Sequence, residues 1–473
     1  MNYKGTVYMP HPPVAIPEVG RGQEEKIKET IEGFYRGAKE IASWKPDILV
    51  IVSPHGNSFK DALSIIDVEE LTGSLTQFGY REKFKKKVFQ DIKKELQVEW
   101  LKKGTPHVFI GELEAKQYRL KLELDHGALV PLYYIDKEYL DYEVIHITPG
   151  FINALDLYSA GSIFSQVMEN IDKTYAVIAS ADLSHCLKDS GPYEYHPDGV
   201  EFDRLVRQYF SENKPEKIFS IPKKTIKNAG QCGYNSYAFA LGISDAYQTE
   251  IEIFSYEGSF GVGYLNAVER IIGVSKHPRL DKINNEIKAN YHERVKSEDA
   301  YVQLARKVIE QHIKEKKRIK WADMKEGFDD QFIKEVTSIS RGAFVTIEKD
   351  GELRGCIGTT EPTKDCLAEE IIANAISAAT RDPRFPKINE KELEHLEVKV
   401  DVLGELEKID SKDQLDIKKY GVVVKKGVRK GLLLPDLDGV KDINHQIEIA
   451  RQKAGLLDYE KYELYRFKVK RHF

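Results

Sequence analysis

Four short segments set a histidine or a cysteine where it could do chemistry. They are Met9-Pro10-His11-Pro12-Pro13, Ser53-Pro54-His55-Gly56, Asp182-Leu183-Ser184-His185-Cys186 and Gly230-Gln231-Cys232-Gly233. Each of the first three follows a short apolar run, at residues 6–9, 48–52 and 175–179, that reads as a buried strand. In an open α/β sheet, groups just past the carboxyl ends of such strands meet in one crevice. Three imidazoles delivered in that way, plus a thiol at the start of a helix, suffice for a mononuclear metal site. Imidazole suits iron, zinc, copper and nickel, and few protein ligands leave positions open for substrate or water.

Taken singly, each of these histidines has an ordinary alternative as a polar loop residue, and the same holds for His126 in Leu124-Asp125-His126-Gly127. Asp182, three residues before His185, either orients that ring from behind or caps a turn; Asp125 beside His126 carries the same two readings. Cys232 precedes a helical run, where terminal N–H groups would lower its pKa and favour the metal-binding thiolate. Cys186 and Glu257 are weaker candidates. His107, His146, His196 and the later histidines have no comparable setting.

The elements that must position these groups follow from periodicity. Apolar residues Ile27, Ile31, Phe34, Ala38 and Ile41 recur at helical spacing, so residues 1–52 read as strand, helix, strand: a βαβ crossover. The basic run 83–87 reads as the solvated face of a Lys-rich helix over 81–96. A strand at 142–147, helices at 155–168, 199–219 and 234–246, and two strands within 251–267 complete the first part. Residues 275–297 read as a linker, either irregular or helical in part. A helix opening at Ser297-Glu298-Asp299 then begins an α+β domain, with a hairpin about Lys349-Asp350-Gly351 and a helix over 366–380.

Bulk properties narrow the class. The 473 residues are 41% hydrophobic and 31% charged with a net charge of -5, which suits globular domains and argues against general nucleic-acid binding. Four cysteines at 186, 232, 356 and 366 make no disulfide framework, so a reducing cytoplasm is expected. No apolar stretch approaches the ~20 residues of a membrane span, and no membrane association is expected.

With those residues in view, the first 272 residues resemble the Memo-like branch of the class III extradiol dioxygenase (LigB-like) superfamily. The carriers are His11, His55, the stretch 125–132, Ser180–Ala181–Asp182–Leu183–Ser184–His185 and Gln231–Cys232–Gly233. The resemblance implies a three-layer α/β/α sandwich. It also implies metal on His11 and His55, an acid/base role for His185, with the neighbouring Asp182 counted among the catalytic candidates on its position alone, and His126 lining the pocket. Ring-cleaving members complete an Fe(II) site with glutamate; the Memo branch has cysteine, here Cys232. A thiolate there alters the potential of bound iron and favours softer metals, so Fe(II) is expected, with Cu or Zn as alternatives.

Residues 298–473 resemble the AMMECR family through Leu353-Arg354-Gly355-Cys356-Ile357-Gly358-Thr359, Arg381-Asp382-Pro383-Arg384-Phe385-Pro386 and Gly431-Leu432-Leu433-Leu434-Pro435. Alternation on a strand would point Arg354 and Cys356 to one face. They would form either an anion-holding Arg beside a reactive thiol or a tight core with a small buried cysteine. The resemblance implies domains 1–272 and 298–473 joined by 273–297, working with a radical S-adenosylmethionine protein in AmmeMemoRadiSam systems. The function implied is a non-haem iron, dioxygenase-like oxidoreductase acting on a small molecule. The alternative is a non-catalytic metal-binding partner or carrier that assembles with the radical enzyme. A homodimer stays open.

Overall fold

A computed structural model describes residues 2–473 apart from 277, 318, 350, 351 and 438. The chain divides into two compact units, Met1–Glu286 and Ile287–Phe473.

The first unit is built on an eight-stranded sheet. Its strands are β1 (Tyr3–Met9), β2 (Ile48–Val52), β3 (Leu63–Ile66), β6 (His107–Ile110), β7 (Glu143–Thr148), β8 (Tyr175–Ser180), β9 (Tyr247–Glu257) and β10 (Tyr264–Val274), while β4 (Glu70–Ser74) and β5 (Lys83–Lys87) pair separately. The order is β6-β3-β7-β2-β8-β1-β10-β9, and β7, β2, β8 and β1 run parallel at its centre. Those central strands are buried along their length and read as continuous apolar runs, as strands covered on both faces must.

Side chains alternate between the two covering layers. Val7 and Met9 of β1 join the core that includes Phe34, Ala38 and Ile41 of the helix Lys28–Trp44. Between them Tyr8 points to the other face, where its ring meets Tyr237 of the helix Tyr234–Ile243 edge-on at 4.9 Å. On that second face the helices Ala154–Met168 and Tyr234–Ile243 pack so tightly that a Cβ on Gly161 would lie 2.1 Å from the Phe239 carbonyl oxygen. Helices thus cover both faces of a mixed sheet, the α/β/α arrangement.

Two local expectations change. Residues 83–87 are strand β5, paired antiparallel with β4, and the helix begins only at Lys93. Their decisive period is two, not 3.6: Phe84 and Lys86 turn inward, and the Lys86 ammonium lies 2.6 Å from Asp136. Residues 279–297, expected as a linker irregular or helical in part, form one helix, Arg279–Ser297, whose Arg279 guanidinium is buried against Glu269 at 2.8 Å.

The second unit contains two four-stranded antiparallel sheets. One has the order β12 (Glu352–Gly358), β11 (Ala343–Lys349), β13 (Leu396–Leu403), β18 (Val469–His472). The other runs β14 (Glu407–Ile409), β17 (Glu463–Phe467), β15 (Gly421–Lys426), β16 (Arg429–Leu433). The helices Ala300–Glu315 and Leu367–Thr380 cover one face of the first sheet, and Ile443–Lys453 covers the second. Asp299 caps the first of these helices by accepting from the Tyr301 and Val302 amides, while Glu298 binds the buried Arg306. β11 and β12 pair as the expected hairpin; its turn residues 350 and 351 lie outside those described. Among the described residues no helix is long and apolar enough to cross a membrane.

Candidate metal centre

β1, β8 and β2 lie side by side and parallel, so residues beyond their carboxyl ends are brought to one edge. His11 follows β1, His55 follows β2, and Ser180, Asp182 and His185 end or follow β8. His126 opens the helix His126–Ile135, and Cys232 sits two residues before the helix Tyr234–Ile243. The His11 and His55 Nε2 atoms approach to 2.9 Å, and Cys232 Sγ lies 3.5 Å from His11 Nε2. All three donor atoms fall within 4.8 Å of one another.

The hydrogen bonds around His11 fix which nitrogen is free. Ser180 Oγ donates its one proton to the Gly127 carbonyl at 2.5 Å, so towards His11 Nδ1, at 2.8 Å, it can only accept. Nδ1 therefore carries the ring proton. Burial and the neighbouring imidazoles push the His11 pKa well down, so the ring is neutral and Nε2 presents a bare lone pair. That lone pair points at His55 Nε2 and the Cys232 sulfur. Two imidazole nitrogens at this spacing must share a proton or a cation, and two imidazoles with a thiolate are the donors that Fe, Zn and Cu accept. The residues fit a metal ion.

His55 lies exposed at the cleft, yet the protein packed about its ring lowers its pKa as well, against the pull of Asp125. His126 stacks on it with centroids 4.3 Å apart. Burial and His55 bring the His126 pKa to about 4. His185 is likewise lowered to about 4, by burial and then by the charge of His55, and its ring stacks on Tyr193 at 5.8 Å. Both are neutral bases near pH 7. A cleft of about 330 Å³ opens beside His126, lined also by His55, Asn57, Gln77, Lys121 and Asp125.

Asp182 does not turn to His185. Its Oδ1 accepts the His11 backbone N–H at 2.8 Å and its Oδ2 lies 3.7 Å from His11 Nε2, because β1 and β8 are neighbours and their end loops face each other. Burial raises its pKa to about 7, partly offset by that amide. The Asp182–His185 loop is held instead by Asp203, a buried carboxylate that accepts from the Ser184 amide at 2.8 Å and the Tyr256 hydroxyl at 2.7 Å. The thiol expectation also changes: burial, and then the Asp182 charge, push the Cys232 pKa well up. A helix terminus alone does not make this thiolate; a bound cation would.

Asp125 takes the capping role rather than orienting the His126 ring. It caps the helix of His126 through the Gly127 amide at 2.8 Å and accepts from Ser53 Oγ at 2.6 Å. Its second oxygen lies 2.8 Å from His146 Nε2. Burial alone would raise this carboxyl, but the His146 hydrogen bond and charge, with Ser53, hold it well below the usual range. His146, set aside on sequence grounds, is thus a functional support, and its Nδ1 is buried without a partner. The available signal was a histidine inside the apolar strand β7, where a ring must find a polar partner. Gly127 is required here, since a Cβ would stand 2.4 Å from Ser53 Oγ. Glu257 accepts from the Thr30 amide and hydroxyl, both at 2.7 Å, and Cys186 stays outside the donor cluster.

In the second unit Arg354 and Cys356 do not share a face. Ile347 pairs with Gly355 but Glu348 with Leu353, so Arg354 is the extra residue of a β-bulge. Its guanidinium turns away to Glu392, at 2.9 and 3.1 Å, and to the Pro386 carbonyl at 2.7 Å. It is committed to a structural pair. Cys356 stays on the strand face opposite, 3.3 Å from Thr346 Oγ1.

Comparison with known proteins accords with both halves. Residues 5–266 match the family described as the catalytic LigB subunit of aromatic ring-opening dioxygenase, and residues 302–472 match AMMECR1. A protein of Clostridium acetobutylicum is 39% identical over 477 residues, spanning 100% of this chain and 99% of its own. One from Thermotoga maritima is 46% identical over 177 residues, 37% of this chain and 98% of its own. Among solved structures, an uncharacterized protein from Pyrococcus horikoshii is 32% identical and covers 36% of this chain and 88% of its own, with a TM-score of 0.32. One from Escherichia coli K12 is 16% identical and covers 56% and 99%, with a TM-score of 0.37. The match across the first domain and the relative that runs the length of the chain settle the kinship: this protein belongs to the LigB family of aromatic ring-opening dioxygenases, with an AMMECR1 domain following in the same chain.

Proposed function

We propose that the first domain is a mononuclear non-haem iron oxidoreductase of extradiol dioxygenase-like type, acting on a small molecule. The observation that carries this reading is the bare Nε2 of His11 set 2.9 Å from that of His55 and 3.5 Å from the Cys232 sulfur. Fe(II) held by these three donors would supply Lewis-acid and redox chemistry at its open positions. The chain's own residues do the rest. Ser180 fixes the His11 ring and Asp182 its backbone, and the Asp125–His146 pair anchors the turn that carries His126. A substrate entering past Asn57, Gln77 and Lys121 would meet His126 as an orienting group. His185, neutral at pH 7, would take a proton from a substrate hydroxyl.

The thiolate donor supports a second reading, in which the site binds metal without turnover and the protein assembles with a radical S-adenosylmethionine enzyme. Oxygen uptake separates the two. The iron-loaded protein is to be assayed with a panel of dihydroxyaromatic compounds, alongside His185→Gln. The dioxygenase reading expects uptake that falls by about 10²–10⁴-fold in the variant while its iron is retained, the usual contribution of a general base. No uptake with any compound would transfer the assignment to the second reading, which co-purification of a stoichiometric complex would test.

A further inference from the structure

The three sequence motifs of the second domain converge on one cavity that the metal chemistry does not use. A cleft of about 620 Å³ is lined by Leu353 and Cys356 of the first motif, Arg384 of the second, and Leu432, Leu433 and Leu434 of the third. The bulge at Arg354 brings Leu353, rather than Arg354, to the Cys356 side, together with Thr346 and Glu348. Lys399, Asp401 and Arg471 continue the same face across β13 and β18.

The walls differ in character. On the leucine side Leu432 and Leu434 pack with Phe344 about Val423 and Phe467. On the strand side the charges come as three ion pairs, Arg384–Asp382 at 2.7 Å, Lys399–Glu348 at 2.7 Å and Arg471–Asp401 at 2.9 Å. In every pair the acid is the more deeply placed member. Side-chain exposure is 52% for Arg384 against 2% for Asp382, 30% for Lys399 against 22% for Glu348, and 28% for Arg471 against 5% for Asp401. The carboxylates therefore aim the cations, and with Lys453 the lining sets Arg384, Lys399 and Arg471 against Glu348, Asp401 and the exposed Asp436, with Arg384 the most accessible of the paired cations. Asp382 also takes the Cys356 backbone N–H at 2.8 Å, and Arg384 donates to the Cys356 carbonyl at 3.2 Å. This closes the edge of strand β12 and fixes the residue that carries the thiol.

We propose that this cleft is a binding site for a small organic anion, with its apolar body against Leu432 and Leu434 and its anionic group held by Arg384 and Lys399 beside the Cys356 thiol. Guanidinium and ammonium groups oriented by buried carboxylates recognise carboxylate or phosphate, and an apolar wall with a few convergent polar groups is the usual make-up of a small-molecule site.

Alkylation of Cys356 in the full chain tests it, read by peptide mass spectrometry. Iodoacetate and iodoacetamide differ in charge and little in size, so their rate ratio, normalised to that of the unfolded chain, reports the field at the thiol independently of its ionisation. The cleft should favour iodoacetate by about fivefold or more, and either Lys399→Gln or Arg384→Gln should lower that preference. N-phenylmaleimide should likewise outpace N-ethylmaleimide at Cys356, with the advantage reduced in Leu432→Ala. A normalised ratio of one or below, or a preference that both charge variants leave unchanged, would overturn the anion site. No preference for the phenyl reagent would overturn the apolar wall. Lys399→Gln leaves the edge contacts of Asp382 and Arg384 intact, so the test survives if Arg384→Gln fails to fold.

Discussion

Replacing His55 by alanine should leave the chain folded and strip it of metal. His55 is exposed, its ring makes its polar contact with His11 and it stacks on His126, so the loss is confined to those ring contacts and the apo stability should change by about 1 kcal/mol. It should not fall further through electrostatics, because the variant removes one of two desolvated nitrogens that face each other at 2.9 Å. Metal affinity is another matter. Loss of a group that merely orients a ligand commonly costs about 10–100-fold, so loss of the ligand itself should cost at least about 100-fold. Metal analysis after anaerobic dialysis, with thermal melts of the apo forms, checks both halves. A variant that keeps a full complement of metal would remove His55 from the site.

Asp125→Ala should be the most destabilising single change near the site. One side chain satisfies Ser53 Oγ, the Gly127 and Ala128 amides and His146 Nε2, all within the same enclosed region. Alanine would leave Ser53 Oγ and the Gly127 amide without that acceptor and His146 with no partner at either nitrogen, while the Ala128 amide keeps the residue 125 carbonyl at 3.1 Å. Breaking a buried charge-assisted set of this kind costs about 3–5 kcal/mol. The pH dependence follows from the depressed pKa of Asp125, against about 3.9 for an unfolded aspartate. A carboxyl lowered on folding stabilises fully above its unfolded pKa, and that stability is lost as the pH falls from there towards its folded value. The gap between wild type and variant should thus be full at pH 6 and narrow below about pH 4. Denaturant melts at several pH values would show it, and a gap that widens in acid would contradict the assignment.

The central strands of the first domain were legible because the parallel centre of the sheet is buried on both faces, which writes them as unbroken apolar runs. Position after such a strand was enough to single out His11, His55 and His185. The resemblance to a known family assigned their roles and placed Cys232 with them. What escaped depends on partners distant in sequence. Ser180 sets the His11 tautomer through a carbonyl 53 residues away, and His146 holds Asp125 across 21 residues. Asp182 lay near His185 in sequence but near His11 in space, since strand neighbours, not chain neighbours, meet at the sheet edge. The bulge at Arg354 was equally hidden: one extra residue in a strand reverses the alternation on which the shared face with Cys356 rested. Strand β5 misled because a lysine run suits a solvated helix, and only the inward pair Phe84 and Lys86 marks its true period.

The central claim is that His11, His55 and Cys232 hold one metal ion. It is tested most directly by purifying the protein without oxygen and counting metal per chain, beside Cys232→Ala. The account predicts about one iron per chain in the native protein and its loss or marked depletion in the variant, because the third donor of the cluster sits 3.5 Å from His11 Nε2. Native protein that neither carries nor takes up metal, or a variant that holds it as well as wild type, would contradict the account.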